Sequence, residues 1–590
     1  MMVIRTLITV GFERSGLDRS GLDRQWRPHR SIAALLLSSL LGAAAVSGPG
    51  ALAASRETSA LPPPRLTAPS PSAPLPVDLP AVLTPGDVQL YQRILAAQHA
   101  EDWALADRLI GDLEDQRLLG YVLAERYLNT RFKATYGELA TWLRAYGDHI
   151  DAPRVHGLAL KLKPPHAPAP PAPTSPQVLA GSGGSEDDAG WHAAAAAHMV
   201  AKPPATGGVA KGKASAKPPA GASPAEEAID ASQAARQNPH AAWLAGLAAW
   251  RIGRHDLAIR NFEAVASSPA STSWNAAAGA FWTARGYLVT RKPQAYLRWM
   301  SRAAESPYTF YGMLARRALG QDINIDWSLP ALGPDELARL EQYPSAGRAI
   351  ALVQIGDRAR AEDELRRLYP KLPVALAPLA LTVAERGGMP GLAMRLADRL
   401  LQSAGQRYDA GLYPVPAWTP QGGFTLNRAL LFAIARIESG FNPSAHNPSG
   451  ASGLMQLMPG TARVMGQGRS GGADSVFDPR ANLALGQRYI DTLLKHERVK
   501  GNLLTLVAAY NVGPGNLTAT PSEDPLLLIE SLVSAETRQL VQRVLTNFWI
   551  YQLRFGQPTD SLDQVAQGEM PVYTGTRLGD TALAERNGGN

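Results

Sequence analysis

The chain of 590 residues contains no cysteine. Disulfides and thiolate metal sites are therefore excluded, and the composition is compatible with an oxidising compartment. Long apolar runs are scarce. The stretch from Ile32 to Val46 is nearly continuous, but it falls short of the ~20 residues that span a bilayer. The 11 histidines show no ligand spacing, so neither a metal nor a cofactor is expected. Charge of one sign is not dominant: 58 Lys and Arg face 51 Asp and Glu, a net +7. That excess favours anionic partners. Much of it sits in the first residues and in a Lys-bearing linker, so nucleic acid is not expected as a partner. Acidic residues are also locally absent, with no Asp or Glu from Ser439 to Ala473.

Composition divides the chain. Residues 1–53 read as a signal peptide: Arg5, Arg14, Arg19, Arg24, Arg27 and Arg30 precede the apolar run, and Ala51-Leu52-Ala53 gives a small-x-small cleavage pattern. Export to the periplasm follows, with no stable membrane span after cleavage near Ala53. Residues 54–85 form a Pro-rich segment expected to be disordered. In 86–160, Leu90, Ile94, Leu105 and Leu109 recur at helical spacings. Residues 161–225 break the pattern with PPHAPAPPAPTSP, Gly-Ser and KGKASAKPPAGASP. Such a segment buries too little apolar surface to offset its chain entropy and reads as a solvated tether. The alternative is a basic contact with an anionic wall.

Helical hairpins resume over 226–411, where Trp243, Gly246, Trp250, Gly253, Ala258 and Phe262 form a tetratricopeptide-like unit. No strict period emerges, which points to a solenoid-like array. Trp243, Trp250, Trp282 and Trp299 read as packing between helices in preference to sugar platforms. Residues 412–418 contain Pro414 and Pro416 and read as an extended joint. A second domain is expected over 419–555, and 556–590 as a loosely ordered tail.

The chemistry concentrates in ALLFAIARIESGFNPSAHNPSGASGLMQLMP, residues 429–459. Leu431, Ile434 and Glu438 share one face of an apolar helix. A carboxylate on a core-directed face is costly to ionise. Its pKa rises, which produces a general acid able to act near neutral pH. Gly440 suits a left-handed helix stop. Gly450 and Gly453 bracket a tight turn, expected in a small β-hairpin. Asp474 and Asp478 remain as distant candidates for a second acid.

Glu438-Ser439, followed by the block from Gly450 to Pro459, resembles the soluble-type lytic transglycosylases. Ala508-Ala509-Tyr510-Asn511-Val512-Gly513-Pro514 and Glu536-Thr537-Arg538 resemble two further motifs of that family in the same order. The resemblance implies a mainly α fold, an α-superhelix of helical hairpins followed by a lysozyme-like α+β catalytic domain. It implies cleavage of peptidoglycan glycan strands without water, with Glu438 as sole acid/base and a 1,6-anhydromuramic product. Ser439 would orient the acid, or simply cap its helix. Asn447, Gln456 and Met458 would line the cleft, although a Met is as often core. Tyr510 would point its hydroxyl at Glu438 and substrate, or serve as amphipathic packing. Glu536 would enter the groove, or merely complement a helix dipole.

Three positions depart from the family: Asn447 stands where Ser is usual, Ser531–Ala535 lacks Ile-Pro, and Leu540 replaces a Tyr. Two other functions stay open. One is a hydrolytic muramidase. The other is a helical scaffold that recruits wall-synthesis proteins.

Overall fold

The computed structural model describes residues 79–174, 177–181, 238–466, 476–519, 521–532 and 534–575. The expected signal peptide and most of the segments 54–85 and 161–225 lie outside these residues. So does Asp474.

The fold is mainly α, as expected. Among the described residues, five helices come first: α1 (Pro85–His99), α2 (Trp103–Gly111), α3 (Leu119–Leu128), α4 (Tyr136–Ala145) and α5 (Ala152–Leu162). Their starts are coded locally. Thr84 caps α1 ahead of Pro85, and Thr135 with Glu138 forms a reciprocal capping box on α4. The second run comprises α6 (Pro239–Arg251), α7 (His255–Ser267), α8 (Ser273–Val289), α9 (Pro293–Ala304), α10 (Phe310–Ala318), α11 (Pro334–Glu341), α12 (Pro344–Ile355), α13 (Arg358–Leu368), α14 (Ala377–Arg386) and α15 (Pro390–Ala404). Consecutive members pack on each other, except α10 and α11.

Small residues set the closest approaches. A Cβ on Gly279 would lie 2.7 Å from the Ala266 amide, so α7 and α8 meet backbone to backbone. Trp282 is fully buried and meets Trp243 and Trp250 edge-on. These aromatics pack helices together, as read from the sequence.

Among the described residues, the first run reaches far along the chain. It closes onto α11–α13, more than two hundred residues later. The Gln354 carbonyl accepts from Val82 and Leu83 amides at 2.9 and 3.0 Å. Tyr121 donates to the buried Glu364, which Arg348 also pairs at 2.6 Å. Arg360 meets Glu125 at 2.6 Å.

Residues 164–174 and 177–181, the described part of the expected tether beyond α5, are docked on the array. Thr174 donates from its amide and its hydroxyl to the Gly147 carbonyl, at 2.9 and 3.0 Å. Leu179 exchanges bonds with Arg366, whose guanidinium also reaches the Gly181 carbonyl at 2.7 Å, and Arg395 donates to Ala180. The segment is poor in apolar surface, but its carbonyls are fastened by arginines of the array.

The C-terminal lobe follows the short α16 (Asp409–Leu412). It contains α17 (Arg428–Ser439), α18 (Pro459–Gly466), α19 (Pro479–Lys495), α20 (Leu503–Val512), α21 (Pro525–Ser531), α22 (Ala535–Arg554) and α23 (Asp560–Gln567). Helix α17 lies against α22 in its centre. Phe310 of the array stacks on Trp549 of α22 at 5.4 Å, and Arg251 donates to the Glu530 carbonyl of α21.

The region after 556 is not loosely ordered through residue 575. Leu562 and Val565 are buried, and Trp549 donates to Ser561. Pro571 accepts from the Leu503 amide, and the Tyr573 hydroxyl accepts from the Asn427 amide at 2.8 Å. This short stretch therefore touches the starts of both α17 and α20.

Candidate active site

Asn427 caps the start of α17, and Gly440, at φ +56°, turns the chain out of it in the left-handed region. Residues 429–437 are buried on every side, so the helix is core rather than amphipathic surface. Leu431 and Ile434 are buried as their spacing with Glu438 implied. Arg436 is not a partner for the acid. Its guanidinium donates to Leu412 and Asn547 and lies over Tyr413 at 4.6 Å. Glu438 is half-buried, and no hydrogen bond or ion pair holds its carboxyl among the described residues. Desolvation pushes this carboxyl from 4.5 up to about 8, and the nearby charge of Glu536 adds to the rise.

Glu536 is thus the acidic neighbour of Glu438, although 98 positions separate them. Ser534 caps α22, which puts Glu536 in the helix's first turn. Asp478 is otherwise engaged, because its carboxylate caps α19 at the Ala481 amide. Ser439 donates to the Ala435 carbonyl one turn back at 3.1 Å, so its hydroxyl proton is used within α17.

The segment 445–457 folds over α19 as a set of tight turns. The expected β-hairpin reduces to isolated bridges, His446 with Ser452 and Ser452 with Leu457. Gly450 and Gly453 both have positive φ, and a Cβ on Gly453 would sit 2.2 Å from the Val476 carbonyl. The Asn447 carboxamide accepts from the Ala451 amide and shapes this turn. Gln456, itself at φ +43°, turns its amide group inward to the Ala445 and Gly453 carbonyls. The two methionines separate: Met455 is fully buried, whereas Met458 is 44% exposed.

Tyr510 differs from the expectation. Its hydroxyl donates to the Met455 carbonyl at 2.6 Å and not to the Glu438 carboxyl. Its ring packs on Tyr489. The charge of Glu438, after burial, still raises its pKa, which puts the two side chains in one electrostatic environment. Asn511 lies within the last turn of α20. Its carboxamide accepts from Thr537 at 2.7 Å, while Gly513 ends the helix.

Residues 420–526 match the family model described as Transglycosylase SLT domain. This part of the chain is an SLT domain. The soluble lytic murein transglycosylase of Salmonella typhimurium is 33% identical over 144 residues, 23% of this chain and 22% of that protein. The protein of the same description from Escherichia coli is 33% identical over 150 residues, again 23% and 22%. The endo-type membrane-bound lytic murein transglycosylase A of an Enterobacter species is 33% identical over 129 residues, 20% of this chain and 63% of that protein. The matched stretch thus spans about a fifth of the soluble relatives' length. Among solved structures, an inactive mutant of lytic transglycosylase Slt from Pseudomonas aeruginosa aligns with a TM-score of 0.46 at 21% identity, covering 80% of this chain and 74% of that one.

One residue of the SLT domain escaped sequence reasoning. Asn482 lies fully buried in α19. Its carbonyl accepts from the Met455 amide at 2.9 Å, and its amide donates to Ser452 and Val476. It therefore fixes the turn whose Met455 carbonyl receives Tyr510. Gly486, one turn later, leaves room for Met455, since a Cβ there would lie 2.1 Å from the sulfur. The only sequence signal was a polar residue amid Ala481, Leu483 and Ala484, which resembles an ordinary solvent-facing position.

Among the described residues no helix is long and apolar enough to cross a membrane, and no cluster of His, Asp and Glu could hold a metal ion.

Proposed function

We propose that the chain is a peptidoglycan lytic transglycosylase, which cleaves the MurNAc-β-1,4-GlcNAc bond and leaves 1,6-anhydroMurNAc ends. The observation that carries the reading is Glu438: an SLT-domain carboxyl, half-buried, without a pairing cation, raised to about 8. At neutral pH such a group is protonated and can give its proton to the glycosidic oxygen as the bond breaks. The carboxylate left behind is a stronger base than an ordinary Glu. It can then take the proton of the sugar's own 6-hydroxyl as that oxygen attacks the anomeric carbon. The proton returns to Glu438, and no water is consumed.

In this reading Glu536 keeps Glu438 protonated and meets substrate at the groove. Gln456 offers its carboxamide oxygen to a sugar donor, and Met458 supplies an apolar wall. Asn447 and Ser439 act by shaping the turn and the helix end. Tyr510 supports the floor through Met455. The enzyme works in the periplasm in cell-wall turnover, on glycan strands.

Glu438→Gln should abolish release of anhydro-ended muropeptides from purified sacculi, as read by mass spectrometry. Undiminished release would refute the assignment. Hydrolytic muramidase action requires Glu536 to hold a water, and it would leave reducing ends in the wild-type digest.

A further inference from the structure

Two cavities lie between the helical array and α22, and neither is lined by Glu438. The first, about 370 Å³, is bounded by Trp243, Trp274 and Tyr311 of the array and by Glu530, Gln542 and Arg543 of the C-terminal lobe. The second, about 330 Å³, is bounded by Trp274, Tyr308, Arg407, Tyr413, Arg543 and Asn547. Both volumes fall in the range of small-molecule sites. Trp274 and Arg543 belong to both, with the guanidinium over the indole at 5.0 Å. The two spaces are therefore neighbours separated by one stacked pair.

Their lining has a consistent chemistry. Each combines aromatic rings with polar side chains, Trp243, Trp274 and Tyr311 in the first and Trp274, Tyr308 and Tyr413 in the second. In the first cavity the buried Glu530 carboxyl accepts from Tyr311 and Gln542 at 3.3 and 3.2 Å, with Arg538 at 3.8 Å. In the second, Asn547 is 4% exposed, and its carboxamide nitrogen has no hydrogen-bond partner. A buried donor left without an acceptor is costly. The acidic and basic groups are interspersed, which disfavours a ligand recognised by charge alone. A pyranose carrying acetamido groups suits this lining: its C–H face packs on aromatic rings, and its hydroxyls and acetamido groups meet carboxylate, guanidinium and amide.

The helix α22 serves both sites with different faces. Ala535, Arg538, Gln539 and Gln542 recur at i, i+3, i+4 and i+7 and line the first cavity. Glu536, rotated off that stripe, acts on Glu438.

We propose that these cavities form a second saccharide site, for N-acetylhexosamine oligomers, on the array side of α22. The proposal deepens the transglycosylase reading and rests on it for the ligand class. It predicts that the array contributes glycan-binding residues to the enzyme as well as packing.

The test is calorimetric titration of the full-length Glu438→Gln protein with chitotetraose, compared with the same protein carrying Trp274→Ala or Gln539→Trp. Gln539 is exposed, so a Trp there can obstruct the cavity without entering the core. Circular dichroism checks the fold of each. The expected result is two molecules bound per chain, with one of the two weakened at least tenfold by either variant and the other retained. One site in all three proteins, two sites indifferent to both substitutions, or no uptake would each overturn the proposal. The ends produced by wild-type enzyme on sacculi judge the transglycosylase reading independently.

Discussion

Replacing Glu438 by Gln should change stability in a pH-dependent way, and the effect can be read without any substrate. The folded chain holds this carboxyl at about 8, whereas the unfolded chain returns it to 4.5. The native state therefore binds the proton more tightly. Its advantage is complete below 4.5, is lost progressively as pH rises, and is gone above about 8. Each pH unit is worth 1.36 kcal/mol, which sets a ceiling of about 5 kcal/mol. Gln resembles the neutral acid and never ionises. The variant should gain up to about 5 kcal/mol on the wild type between pH 4 and pH 9. For a unit of lobe size each kcal/mol is a relative rise in Tm of about 2–4 °C. The assay is thermal or urea unfolding of both proteins across that range, where the other titrating groups are common to the pair. A stability difference that stays constant with pH would refute the perturbed acid.

Two further outcomes follow from the same geometry. Glu536→Gln removes the charge that helps keep Glu438 protonated, so the alkaline limb of the pH–activity profile should move to lower pH; an unmoved limb would dissociate the two carboxyls. Asn482→Ala deletes three buried hydrogen bonds and should cost about 3 kcal/mol in urea unfolding. Asn482→Asp keeps the acceptor for Met455 but faces two carbonyls, so it should not rescue; full rescue would contradict the role of the amide nitrogen.

Sequence periodicity made α17 legible, because one acid at the end of a mostly apolar run from Ala429 to Ile437 stands out against any background. The end of that helix was legible too, since Gly440 is suited to the left-handed conformation it adopts. The proximity of Glu536 was not. Local spacing says nothing about residues brought together by packing of α17 on α22, and only the family resemblance pointed there. The hydroxyl of Tyr510 was misread for a related reason. Its acceptor is a backbone carbonyl, at Met455, and main-chain partners leave no mark in side-chain patterns. The docked strap of residues 164–174 and 177–181 failed to register on the same grounds: its prolines and alanines offer little apolar surface, and its carbonyls are caught by Arg366 and Arg395. The stretch 556–575 was hidden by its sparse apolar content, although Leu562, Val565 and Tyr573 suffice to anchor it.

Closure of α1–α5 onto α11–α13 makes the covalent order of the chain less important than its noncovalent order. Gln354, Glu364 and Arg360 grip the early helices directly, and the strap adds its own fastenings before residue 182. A backbone cut between residues 181 and 238 would break none of these contacts. Among the described residues, the two runs of helices are thus held to each other by noncovalent bonds as well as by the peptide chain.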